Sequence, residues 1–110
     1  MTARRILDPR RFSETFDIDF GGLSAPHTVT VGYYADGSVG EVFITGGKSG
    51  EQVEAIARDS AVLLSLALQH GVALDTIAHA LTRNSRGEPN TIICTVVDRL
   101  MQEKGSGACS

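Results

Sequence analysis

The chain has only two cysteines in 110 residues, Cys94 and Cys109, and they do not form a CxxC pair. This spacing excludes the usual zinc and dithiol motifs, and the density is far below that of a secreted disulfide scaffold. No apolar run approaches the roughly 20 residues that a membrane-spanning helix requires. The opening stretch, MTARRILDPRR, lacks the hydrophobic centre of a secretory signal. A cytoplasmic protein without membrane attachment is therefore expected. The histidines are His27, His70 and His79, with no i, i+4 pair beside a carboxylate, so no metal helix is expected. No nucleophile has a neighbouring base. Ser60 and Ser65 fall inside a helical pattern, where hydroxyls serve helix packing. No catalytic residue, metal or cofactor is expected.

What is present is 42% apolar content, enough for one globular domain with a single core. The net charge of −3 is unevenly spread. Residues 1–11 hold Arg4, Arg5, Arg10 and Arg11 against Asp8, a surplus of three positive charges, and the rest of the chain has a net charge of −6. A uniformly basic nucleic-acid binder is disfavoured, whereas a short basic arm on an acidic body fits. We divide the chain into a basic flexible arm at 1–11, a single α+β domain at 12–103, and a disordered tail at 104–110.

From Phe12 the residues alternate. Phe12, Glu14, Phe16, Ile18 and Phe20 share one parity, the period of a strand with one face buried, which leaves Asp17 and Asp19 outward. After Gly21-Gly22, the stretch HTVTVGYY resumes the alternation. Asp36-Gly37 then marks a hairpin whose turn positions tolerate positive φ. Val39–Thr45 returns as a third strand. Beyond the glycines the period becomes helical, with Val53, Ile56, Ala57, Ser60, Leu64, Ala67 and Leu68 on one stripe and Gly71 as the stop. Ala55, Val62 and Leu66 lie on the opposite side of that helix, and are the candidate interface to later helices or to another subunit. VALDTIAHALTR predicts a shorter helix ending near Arg83, and His70 is expected to cap the long helix. TIICTVVDRLMQE has β-branched residues that favour a strand, but its apolar spacing and unbroken run into Gln102-Glu103 select a helix. The expected fold is α+β: a three-stranded antiparallel β-meander followed by one long and two shorter helices packed on one sheet face.

The stretch ITGGKSGE, Ile44–Glu51, raises a phosphate-loop question. A nucleoside-triphosphate loop needs a glycine five residues before its Gly-Lys pair, so that backbone N–H groups can wrap the phosphates. Val42 stands there, and a strand occupies the intervening residues. A weaker reading survives, in which Lys48, Ser49 and Gly50 hold an anion at the helix start. The plainer reading is a strand-to-helix turn with a solvated lysine. The arm arginines Arg4, Arg5, Arg10 and Arg11 are the other candidate anion surface, for phosphates or for an acidic partner. Little aromatic interleaving accompanies them, so base stacking is not indicated.

The run GEVFITGGKSGEQVEAIARDSAVLLSLALQHGVALDTIAHAL resembles the TSCPD domain, and SLALQHGV followed by a short helix is its most specific part. That domain is found at the C-terminal end of adenosylcobalamin-dependent ribonucleotide reductases and as small stand-alone bacterial proteins, the branch this chain is closer to. The Thr-Ser-Cys-Pro-Asp string that names the domain is absent, so no thiol or metal role passes to Cys94, which reads as a buried, inert residue. Reductase chemistry needs a radical-bearing cysteine, a reducing cysteine pair and a large barrel. Cys109 alone cannot close the disulfide of a swinging arm. The resemblance implies a non-catalytic module that docks on a protein partner or forms a homo-oligomer, with nucleotide or nucleic-acid binding through Lys48 and the arginines as the alternative.

Overall fold

A computed structural model describes residues 3–19, 26–46 and 51–108. It contains, in order, β1 (Ser13–Ile18), β2 (His27–Tyr33), β3 (Val39–Gly46), α1 (Glu51–Gln69), α2 (Leu74–Ala80) and α3 (Ile92–Ala108). The class is α+β, as the change of period along the chain predicts. The backbone forms two compact units, Met1–Val72 and Ala73–Ser110.

In the first unit the strands form an antiparallel sheet in the order β1-β2-β3. One face carries Val29, Val31, Val42 and Ile44, all essentially buried, and the register sets Val29 beside Ile44 and Val31 beside Val42. These are β-branched side chains, which pack well on a pleated surface. Thr15, Thr28 and Thr30 lie on the other face, where Thr28 Oγ1 donates to Asp17 Oδ1 at 3.0 Å and the Thr15 and Thr30 hydroxyls lie 3.3 Å apart.

β1 differs from its expected form. It ends at Ile18, and within it only Ile18 is buried, while Glu14 is exposed and Phe16 half-buried. Phe12, expected on the buried side, is 68% exposed. The strand lies at the edge of the sheet, so its alternation marks one face without burying it along its whole length.

The hairpin between β2 and β3 also departs from the two-residue turn. Tyr34 N–H donates to Ser38 O, Gly37 N–H donates to Tyr34 O, and only Gly37 has positive φ, at 88°. This is a three-residue loop, in which a type I turn is followed by a left-handed glycine. Asp36 Oδ1 accepts from the Ser38 N–H at 2.9 Å and from its hydroxyl at 2.6 Å.

α1 ends in a Schellman cap, as Gly71 predicts. Val72 N–H reaches Ala67 O, Gly71 N–H reaches Leu68 O, and Gly71 takes φ 92°. The buried stripe, however, is rotated from the expected one. Ala57, Ala61, Leu64, Ser65 and Gln69 are buried, while Val53 and Ile56 are exposed. Bonds from two polar side chains to β3 set this rotation, as shown below.

In the second unit α2 packs on α3. Leu74 and Ala78 are buried on α2, and Ile92, Cys94, Val96, Val97 and Leu100 on α3. The segment that was ambiguous between strand and helix is helical, and Thr91 caps it, its hydroxyl accepting from Cys94 N–H at 3.1 Å. α3 continues to Ala108, past the boundary at 103. No helix among the described residues is long and apolar enough to cross a membrane.

Candidate functional site

Three surfaces stand out: the outer edge of β3 with the arm that crosses it, the far side of α1, and the Arg83 cluster.

The hydrogen bond from Tyr33 N–H to Phe12 O fixes the parity of the whole sheet, because antiparallel partners alternate between bonded and non-bonded pairs. Glu14, Phe16 and Ile18 turn their backbone groups to β2. Counting on, Gly40, Val42 and Ile44 turn theirs away from β2, to the outer edge of β3. α1 satisfies that edge with side chains. Ser65 Oγ accepts from Val42 N–H at 2.8 Å, and its proton lies between Val42 O at 3.1 Å and Ala61 O at 2.8 Å. Gln69 Nε2 donates to Gly40 O at 2.9 Å. Both side chains are nearly fully buried, so these bonds replace water that the edge would otherwise require.

Gln69 also holds the amino-terminal segment. Its side-chain Oε1 accepts from Arg4 Nε at 2.6 Å, and its main-chain carbonyl accepts from Arg5 N–H at 2.7 Å. Tyr34 OH donates to Arg5 O at 2.7 Å, and the Arg5 guanidinium lies 3.8 Å from the centre of the Tyr34 ring, a cation–π contact. Arg5 also pairs with Asp36 at 3.1 Å. The Asp36 carboxyl is held down to about 2, first by the Ser38 hydrogen bonds and then by Arg5. Leu7 presses on Gly40, where a Cβ would come within 2.6 Å of Leu7 Cδ2 and 2.7 Å of Tyr34 Cε2. Arg11 pairs with Glu41 through Nε and donates to Asp8 O at 2.6 Å.

Arg4, Arg5 and Arg11 are therefore engaged with the body, and residues 4–11 form a strap in place of the flexible arm expected from composition. Arg10 lines a cavity of about 330 Å³ with Asp8, Phe12, Glu14, Tyr33 and Gly37. The Phe12 and Tyr33 rings lie 5.5 Å apart beside it. Lys48, Ser49 and Gly50, the candidate anion site, lie outside the described residues, as does Cys109.

The interface candidates Ala55, Val62 and Leu66 are all exposed, and Ile56 and Leu63 join them. At 100° per residue these five occupy one sector of the helix, on the side away from Ala61 and Ser65. Leu63 is 68% and Ile56 57% exposed. Asp59 and His70 are the polar residues in this sector among those whose side chains are described.

In the second unit Arg83 donates to Asp98 through two nitrogens, at 2.8 and 2.7 Å, and to Ala78 O and Gly87 O. It thus reaches the end of α2, as its position near the dipole terminus predicts, and joins it to α3, which the sequence reading missed. The hydrogen bond from Arg83 lowers the Asp98 carboxyl below its ordinary value. Burial pushes the Cys94 thiol up, against the opposing charge of Arg83. An apolar pattern around Cys94 signalled its burial, but nothing local signalled the ion pair fifteen residues apart. His79 Nδ1 lies 2.7 Å from Asp75 O and is exposed. His27 is fully buried, and neither ring nitrogen has a hydrogen-bond partner among the described residues. No cluster of His, Cys, Asp and Glu among those residues is arranged to hold a metal.

Comparison with known proteins decides the family. The model of the TSCPD domain matches residues 2–104. The chain belongs to the TSCPD domain family. Within this TSCPD chain, 59 residues are 41% identical to a vitamin B12-dependent ribonucleotide reductase of Rhodopirellula baltica (strain DSM 10527 / NCIMB 13988 / SH1). They make up 54% of this chain and 6% of that reductase. No solved structure matches it. The stretch that carries the family resemblance, SLALQHGV, contains Ser65 and Gln69, the two side chains that close the β3 edge, and Gly71, which caps α1.

Proposed function

We propose that this TSCPD protein is a non-catalytic accessory module that acts by protein docking or self-association through the outer face of α1. The observation that carries the reading is the row Ala55, Ile56, Val62, Leu63 and Leu66, exposed along a helix that packs on β3 through Ala61, Leu64, Ser65 and Gln69. A 19-residue helix spans about 28 Å at 1.5 Å per residue, long enough to form the centre of an interface. Removing each large side chain from water is worth roughly 1.5–3 kcal/mol. The matched reductase is similar over a stretch that is too small to hold its chemistry. The residues found together here, a serine and a glutamine on backbone groups and arginines on carboxylates, hold the fold and offer no activated nucleophile. Sedimentation of the wild type and of Leu66→Lys tests the reading.

The alternative is nucleotide or nucleic-acid binding through Lys48 and the arginines. Arg10, on an aromatic-walled cavity, supports it. The pairing of Arg4, Arg5 and Arg11 with the body weighs against it, because each would have to give up a partner to meet a phosphate. Titration with nucleotides, single strands and duplexes at low and high salt separates the two, since phosphate binding weakens steeply with salt.

A further inference from the structure

The two edges of the sheet are treated differently. β3 has its outward Val42 and Gly40 groups bonded by Ser65 and Gln69. On β1 the outward backbone groups are those of Ser13, Thr15 and Asp17, and no hydrogen bond reaches them among the described residues. The strand is in even register with β2 from Ser13 to Ile18. It therefore has no bulge, and Ser13–Asp19 contains no proline and no lysine; of the devices that blunt an open edge it has only acidic side chains, Glu14, Asp17 and Asp19.

We propose that this edge takes up an extended basic segment of a partner protein as a fourth strand. Charge selects the occupant. Glu14, Asp17 and Asp19 are exposed along the edge, and no cation falls within Ser13–Asp19. Glu14 accepts from the Tyr33 hydroxyl at 2.9 Å and Asp17 from the Thr28 hydroxyl at 3.0 Å, and neither donor is a cation. A second copy of β1 would bring three more carboxylates to the same ladder and no cation from Ser13–Asp19 to offset them, and gathered like charges destabilise a strand pair. A strand with lysine or arginine at those positions meets the opposite sign. At the other end, Arg11 is paired with Glu41 and Arg10 repels a cation. The exposed Phe12 ring there accepts an apolar side chain instead. Six residues at about 3.3 Å each give the added strand roughly 20 Å of ladder. This surface is distinct from the outer face of α1, and its test does not depend on that reading.

The test is fluorescence anisotropy of the full chain with a fluorescein-labelled heptapeptide of alternating lysine and valine. Saturable, salt-weakened binding is expected, with none to the same peptide bearing glutamate for lysine. Two further peptides are N-methylated on alternate amides, one on each parity, and one of them should bind about tenfold or more weakly. Thr15→Pro removes an outward N–H without touching the ladder to β2 and should weaken binding to a similar degree. If that variant does not fold, as judged by circular dichroism, the methylated peptides still decide. The proposal is overturned if the lysine peptide does not saturate, if both methylated peptides bind like the parent, or if the glutamate peptide binds equally well. It also fails if Thr15→Pro dissociates a dimer, since a second copy would then hold the edge.

Discussion

The Gln69 side chain donates to the main-chain carbonyl of Gly40 at 2.9 Å, and through this bond the end of α1, the outer edge of β3 and the amino-terminal strap share one buried group. Removing the side chain leaves Gly40 O without its donor and Arg4 without its acceptor. Gln69→Ala should destabilise the protein by about 1–3 kcal/mol, the cost of an unsatisfied buried group. It should also make the strap the first site of limited proteolysis. Urea denaturation and a trypsin time course, which reads cleavage at Arg4, Arg5, Arg10 and Arg11, check the two parts.

Ser65 is the second polar contact on the same edge. Ser65→Ala keeps the small volume but strands both the N–H and the C=O of Val42, so a loss of about 1–3 kcal/mol is expected. Ser60, half-buried on the same helix, has no such task, and Ser60→Ala should change the urea midpoint little. Equal effects from the two serines would contradict the assigned geometry.

These contacts mark the limit of what the sequence made legible. Periodicity found three strands and three helices, because burial of Val29, Val31, Val42 and Ile44 on one face and of Val96, Val97 and Leu100 on another leaves a regular trace. It misplaced the α1 stripe, because an apolar count treats serine and glutamine as outward, whereas Ser65 and Gln69 turn inward to backbone groups on another element. It read residues 1–11 as a basic flexible arm for a similar reason. Their partners Asp36, Glu41 and Gln69 lie 30 to 65 residues away in the chain, and no local pattern records such pairings. That α1 has a second apolar side with Ala55, Val62 and Leu66 was visible in its spacing, and these residues are exposed.

Asp98 gives a pH signature. Its folded carboxyl lies below the ordinary 3.8, so the charged form is favoured by folding. The stability it adds is fully present above about pH 4 and is lost as the pH falls through the folded value. Asp98→Asn should therefore lower the melting midpoint at pH 7, and the gap to wild type should narrow in acid. Melting curves from pH 7 down to pH 2.5 check this.

Cys94 is fully buried and its thiol is raised by that burial. Since only the thiolate reacts, alkylation should wait for unfolding. In a Cys109→Ser background, iodoacetamide should label the protein at the rate of opening, and labelling should become fast only in denaturant. Rapid labelling of the native chain would show that α3 opens readily.

Whether the outer face of α1 binds protein is read out by sedimentation equilibrium of wild type and Leu66→Lys over a range of concentrations. A binding face there gives a concentration-dependent dimer, or a complex with a co-purified protein, that Leu66→Lys dissociates while the circular dichroism spectrum is unchanged. A strict monomer that is indifferent to the substitution would contradict it.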